Sequence, residues 1–251
     1  MESTAKCEIH MVRNYCLGSE ILIERVPTGI DNLDVLLNGG FPRGSLIVLA
    51  GNCGSGKTTL AAQFLHAGAT KYNEPGILVS FAEGHSVLIE FLRTLGLDFD
   101  QLEKQRKVSI LDFVSMKEAG ISIAIDQILT EISDIKAKRL VIDSFSAIAS
   151  SFDDKTEVRI MLHAILSKMV RQLGCTTLVI VEIPWGTTPI GMGLEEFVAD
   201  GVILINSFIE DFQMKRRMLI AKMRGTLHSS KYHDIAITAD GISIVPVPTL
   251  K

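Results

Sequence analysis

Six short apolar runs punctuate the chain: "SLIVLA" (45–50), "GILVSF" (76–81), "VSILDF" (108–113), "RLVIDS" (139–144), "TTLVIVEI" (176–183) and "GVILIN" (201–206). Most of them are continuous, not alternating. A strand with one wet face alternates apolar and polar residues, so a continuous run predicts a strand covered on both faces. Between the runs the period changes. In 121–136, Ile121, Ile125, Ile128, Leu129, Ile132 and Ile135 recur at helical spacing. In 155–173, Val158, Met161, Leu162, Ile165, Leu166, Met169 and Leu173 do the same, and Gly174 follows as a stop signal. Strand and helix alternate, which predicts a doubly wound α/β domain: a mostly parallel, twisted sheet flanked by helices. The last fifty residues differ. "RRMLIAKMRG", "HDIAIT" and "ISIVPV" read as successive strands, with "ADG" at 239–241 as a tight turn, so a C-terminal antiparallel β extension is expected. Residues 1–24 carry little pattern and read as an arm or tail, leaving 25–251 as the folded domain.

Composition narrows the class. The chain has 251 residues, 47% of them apolar, enough for a full core and too many for a disordered chain. Its net charge of −4 provides no global attraction for nucleic acid or anionic membrane. No apolar run reaches the roughly 18–20 residues of a membrane helix, so no membrane insertion is expected. "MESTAKCEIHMVRNYCLGSE" lacks the apolar core of a signal peptide, which predicts a cytoplasmic location. Cys7, Cys16, Cys53 and Cys175 are scattered without a CxxC pair. Free thiols are expected, with a Cys7–Cys16 cross-link as the alternative.

Chemistry enters between the first run and the helix after it. Gly51, Asn52, Cys53, Gly54, Ser55, Gly56, Lys57 and Thr58 fit G-x-x-x-x-G-K-[ST], and Thr59 continues into "TTLAAQFLHAGA". Glycines let the backbone curl until successive N–H groups point inward at phosphate oxygens. The following helix adds its positive end. Lys57 is expected to reach the β- and γ-phosphates and the Thr58 hydroxyl to bind Mg²⁺. The alternative is a plain strand–helix turn. Asp143 ends the buried run "KRLVIDS", where a carboxylate needs a cation or donors. It is expected either in the Mg²⁺ shell or as a cap for the next segment, with Ser144 sharing either role.

Four spaced stretches resemble one family. "VPTGIDNLDVLLNGGFPRGSLIVLAGNCGSGKT", "GLEEFVADGVILI" (193–205), "AKMRGTLH" (221–228) and "ITADGISIVP" (237–246) are similar, in the same order, to the motifs of KaiC-type proteins, whose ATPase domain is RecA-like. The resemblance covers roughly residues 25–248, and with one such domain the chain looks like the single-domain relatives common in archaea. It implies ATP and Mg²⁺ as ligands and a homo-oligomeric ring, commonly a hexamer, with nucleotide between neighbouring subunits. Lys222 and Arg224 would share one face if 218–224 is a strand. By resemblance they reach the γ-phosphate bound by the adjacent subunit, and His228 assists in nucleotide contact. Surface roles for all three are the alternative. Lys215, Arg216 and Arg217 read as a solvated basic hairpin tip, with a nucleic-acid patch as the alternative.

Hydrolysis needs a base near the attacking water. By resemblance it is a glutamate after the strand "GILVSF", where the next residues are "AEGH". Members similar to the clock protein carry two adjacent glutamates there. This chain has Ala82 and then Glu83, so Glu83 is the expected base, with a helix cap as its plainer role, and turnover is expected to be weak. Glu182 matches an acidic position of the family and is expected to sense the γ-phosphate, a salt bridge being the alternative. Trp185 falls in a loop that by resemblance faces a ring's channel, with ordinary packing as the alternative. Two other functions compete: an ATP-ordered assembly switch that docks an unidentified protein, like the archaeal flagellar accessory ATPase, and a recombinase-like DNA-binding ATPase, against which the acidic net charge argues.

Overall fold

The structure, a computed structural model, describes residues 23–114, 121–150, 156, 158, 160, 163, 165–187, 195–239 and 241–245. Residues 1–22, with Cys7, Cys16 and most of the expected arm or tail, lie outside these. The first elements among the described residues are strand β1 (Arg25–Val26), helix α1 (Leu33–Leu36) and strand β2 (Phe41–Pro42), which closes a small antiparallel pair with β1. The apolar run at 45–50 becomes β3 (Leu46–Gly51), and α2 (Lys57–Lys71) follows. Next come β4 (Gly76–Ser80), α3 (His85–Thr94), α4 (Phe99–Lys104) and β5 (Val108–Asp112). Helix α5 (Ile121–Ile135), β6 (Arg139–Asp143), α6 (Phe145–Ala149), α7 (Ile165–Gln172) and β7 (Thr176–Glu182) continue the alternation. The last elements among the described residues are α8 (Glu195–Val198), β8 (Gly201–Glu210), β9 (Gln213–Met223), β10 (His233–Thr238) and β11 (Gly241–Val245).

Nine strands form one sheet in the order β11-β10-β9-β8-β3-β7-β6-β4-β5. From β8 to β5 all neighbours are parallel. From β8 to β11 they are antiparallel. Continuous apolar runs are explained by the two cores. In β3, Ile47 and Leu49 enter the core beneath α2, α3 and α4, while Leu46, Val48 and Ala50 enter the one beneath α5, α6 and α7. A strand side chain alternates faces, so both faces must be apolar when both are covered. The expected parallel sheet, flanking helices and antiparallel extension are all present.

Three details differ from the sequence expectation. Helix α7 winds as a π-helix, with Leu173 N donating to Lys168 O at 3.1 Å; Val158, Ile165 and Met169 are buried but Leu173 is exposed. Met161 and Leu162 lie outside the described residues. The run "GVILIN" continues as strand to Glu210, because pairing with β9 sustains it beyond the buried part. Its turn is Asp211–Phe212, both with positive φ, so Lys215, Arg216 and Arg217 sit within a strand and not at the tip. No helix among the described residues is long and apolar enough to cross a membrane.

Candidate functional site

Parallel pairing brings residues remote in sequence to one edge. Gly51 lies opposite Glu182, and Ser80 lies opposite both Asp143 and Asp112. These are the carboxyl ends of β3, β7, β4, β6 and β5, where ligands of open α/β sheets bind.

The loop between β3 and α2 is shaped by its neighbours. A Cβ on Gly51 would stand 1.8 Å from the Ile205 carbonyl oxygen, so only glycine lets β3 approach β8 there. Gly54 has φ +72°, a left-handed conformation, with open space where a Cβ would be; backbone shape and not crowding favours glycine. The Asn52 amide grips β8 twice: Nδ2 donates to Ser207 O and Oδ1 accepts from Ser207 N, each at 2.8 Å. Arg216, whose strand position pairs with Ser207, donates from Nε to Gly54 O at 2.9 Å.

Lys57 opens α2 and is 7% exposed; its Nζ donates to Asn52 O at 2.9 Å. Burial pushes its pKa down, against the charges of Glu182, Asp143 and Cys53. The N-cap, Gly56, offers no side-chain bond to the first-turn N–H groups. The Ser55 hydroxyl is buried without a partner. Free N–H groups, an ammonium held by one loop carbonyl and an orphaned hydroxyl make a cradle suited to phosphate oxygens.

Thr58 Oγ1 donates to Asp143 Oδ2 at 2.7 Å. Asp143 is 8% exposed, and burial raises its pKa. The Thr58 hydrogen bond and Lys57 pull it down, while Glu83 and Glu182 push it further up. Asp143 and Glu182 both act on the Lys57 ammonium, and Glu83 acts on Asp143. Among the described residues no group of three or more His, Cys, Asp or Glu could hold a metal alone. Adjacent hydroxyl and carboxylate oxygens fit Mg²⁺, which takes few protein ligands and completes its shell with water and phosphate. Asp143 does not cap α6; Ser144 does, accepting from Ala147 N at 3.2 Å.

Glu83 sits exposed in the turn after β4. It does not cap α3, whose first N–H, from His85, goes to Asp112 Oδ2 at 2.9 Å. Glu182 ends β7 with its N–H donating to Ser146 Oγ at 2.8 Å. Trp185 is half-exposed beyond it. Cys53 is exposed on the phosphate loop; Cys175 is buried, and burial pushes its thiol up to about 11.

Lys222, Arg224 and His228 are not brought to this edge. Lys222 pairs with Val202, which pairs with Val48, three residues short of Gly51 and so roughly 10 Å away along the strand. The register skips Ala221, before both cations, and β9 ends at Met223, one residue short of Arg224, so the strand does not span Lys222 and Arg224 together. A shared turn aligns them instead. Lys222 Nζ donates to Ala199 O at 2.7 Å, and Arg224 pairs with Asp200 at 3.4 Å. Asp200 also accepts from Leu46 N at 3.1 Å, at the start of β3. His228 Nδ1 lies 3.1 Å from Ser229 O.

Sequence reasoning missed Ser80, Asp112, Ser146, Asp200 and Arg216. For Ser80 and Asp112 the signal was a polar residue ending an apolar run. Arg216 gave none, because its role depends on which residue of β8 it faces. The other two tip cations are engaged too: Lys215 pairs with Glu210 at 2.6 Å, and Arg217 is sandwiched between the rings of Phe208 and Tyr232.

The family model described as "ATPase: KaiC" matches residues 26–249. A UPF0273 protein of Methanocaldococcus jannaschii is 34% identical over 246 residues, covering 91% of this chain and 99% of that protein. The circadian clock oscillator protein KaiC of Prochlorococcus marinus is 31% identical over 243 residues, covering 93% of this chain and 48% of its own length. The chain thus spans about half the length of that clock protein. Among solved structures, a KaiC-like protein of the hyperthermophilic archaeon Pyrococcus horikoshii superposes with a TM-score of 0.81 at 37% identity, covering 90% of this chain and 100% of that one.

Proposed function

The chain belongs to the KaiC family of ATPases, and on that premise we propose that it binds ATP with Mg²⁺ between subunits of a ring and hydrolyses it. The observation that carries this reading is the Thr58–Asp143 hydrogen bond beside the buried Lys57 at the head of α2. The loop N–H groups from Gly51 to Thr59 and the Lys57 ammonium hold the phosphates. Thr58 and Asp143 hold the Mg²⁺, which would draw charge from the β- and γ-phosphate oxygens. Glu83 accepts a proton from a water whose oxygen bonds to the γ-phosphorus. The bond to the β–γ bridging oxygen breaks, releasing ADP and phosphate. Glu182 orients that water. Lys222 and Arg224 of a neighbouring copy, with His228 beside them, neutralise charge on the transferring group.

Steady-state release of phosphate from ATP tests this. Turnover is expected with Mg²⁺, lost with EDTA, and lowered about 10²- to 10⁴-fold in Glu83→Gln, the range of general-base catalysis. ATP binding that persists without any turnover in the parent would overturn it and favour the second reading, an ATP-ordered assembly that docks a partner protein. Ala82, exposed beside Glu83, is the feature that favours that reading. Lys215, Arg216 and Arg217, the cations on which a DNA-binding reading would draw, are each engaged by neighbours within the fold.

A further inference from the structure

The turn that presents Glu83 is held at both ends by polar side chains that finish apolar strands. Ser80 is the last residue of β4 and is 1% exposed. Its hydroxyl donates to Glu83 O at 2.6 Å and accepts from Glu83 N at 3.1 Å. One side chain thus takes up both backbone polar groups of Glu83. The serine is itself fixed, because β4 lies between β6 and β5. Phe81 N donates to Asp143 O at 2.7 Å, and Phe113 N donates to Ser80 O at 2.8 Å. The rings of Phe81 and Phe113 lie 5.4 Å apart beside the turn. At the far end Asp112 accepts from His85 N and from Val114 N, which holds its carboxyl below the ordinary aspartate range. Gly84, the N-cap of α3, has no side chain to do this.

A glutamate with a free backbone could swing its carboxylate by several ångströms. Clamping its N–H and C=O leaves only side-chain torsions, so the range of the carboxylate is set by where β4 ends. We propose that Ser80 is a positioning residue for hydrolysis, aiming Glu83 at the attacking water while Asp112 fixes the exit of the same turn. This rests on Glu83 being the base. Misplacing a catalytic group by about 1 Å can cost about 10²-fold in rate.

The test compares Ser80→Ala, Ser80→Thr, Glu83→Gln and the Ser80→Ala/Glu83→Gln pair in the full chain. We expect Ser80→Ala to lower kcat roughly 10- to 100-fold with KM for ATP within about twofold, the split expected when an interaction matters only at the transition state. Ser80→Thr, which keeps the hydroxyl, is expected to recover at least half of that loss on a logarithmic scale. In the Glu83→Gln background, adding Ser80→Ala is expected to change kcat by less than about twofold, because residues acting as one unit are not additive. Losses that multiply in the double variant would overturn the proposal and make Ser80 merely structural. So would an unchanged kcat in Ser80→Ala while Glu83→Gln is dead. Normal turnover in Glu83→Gln would instead remove the base assignment itself, and this proposal with it.

Discussion

The two ends of the central strands carry the same kinds of side chain in opposite circumstances. Where β3, β4 and β6 finish, Lys57 and Asp143 are buried, the first met by a loop carbonyl and the second by a hydroxyl. Where β3 and β8 begin, Lys222 is half-buried and Arg224 is exposed, resting on the Ala199–Asp200 turn. A buried charge is held in one place because leaving it unmatched is costly; an exposed one is screened and can change partners. The first end therefore holds its charges in fixed places, and the second leaves its charges able to exchange partners. The register keeps them apart within one chain, as expected if the second half of each site comes from a neighbour.

The sharpest way to break that comparison is to divide the site between two variants. Glu83→Gln and Arg224→Ala are each expected to lose about 10³-fold in kcat, the scale of a lost base or trans-acting arginine. Co-expressed in one assembly, they are expected to regain a fraction of parent turnover, because some interfaces then pair an intact Glu83 with an intact Arg224. If co-assembled variants stay as slow as either alone, the two ends do not meet across a subunit boundary. Next in size is Lys57→Ala. Removing a charge-assisted bond to phosphate is expected to weaken ATP binding about 100-fold by calorimetry. Unchanged affinity would mean that the ammonium is not a phosphate ligand.

Asp143→Asn sharpens the contrast in a different currency. Burial raises the pKa of Asp143, so the fold disfavours its carboxylate. Below its ordinary, unfolded pKa both states are protonated and nothing is lost. Above that value the ionised group costs stability, and the cost is complete once pH passes the raised folded pKa. Without Mg²⁺, Asp143→Asn is therefore expected to melt at or above the parent, by about 2–4 °C per kcal/mol relieved, with the gap widening as pH rises through that window. Mg²⁺-dependent turnover is expected to fall in the same variant. A lower Tm at neutral pH would mean that the carboxylate is needed by the fold. The smallest effect expected is that of Asn52→Ala, which leaves two buried Ser207 backbone groups unpaired and should cost about 2 kcal/mol in denaturant unfolding. An unchanged midpoint would show the bidentate contact to be dispensable.

How much of this could be read from the chain divides along the same line. The phosphate loop and Asp143 were legible because their chemistry is local: a glycine-rich turn between a strand and a helix, and a carboxylate ending an apolar run. Helices with a strong apolar period, such as 121–136, were legible for the same reason. The supports of the site were not. Ser80 matters through its register with β5 and β6, and Arg216 through its place opposite Ser207. Both facts follow from strand order, which no short stretch encodes. The basic cluster 215–217 misled because three like charges in a row suggest a solvated tip. Each found a different partner only once the Asp211–Phe212 turn had set the pairing.

Asn52 gives the phosphate loop a further property. Its amide is matched to Ser207 by two bonds, and Arg216 holds Gly54 from the same hairpin, so the loop takes its curve from a neighbouring strand and not from the nucleotide it would receive. A ligand arriving at such a loop has little chain to order, and the entropy of fixing the turn is already spent in folding. Encounter then becomes a matter of diffusion and charge, and the lifetime of the bound nucleotide is left to the groups that close over it from outside.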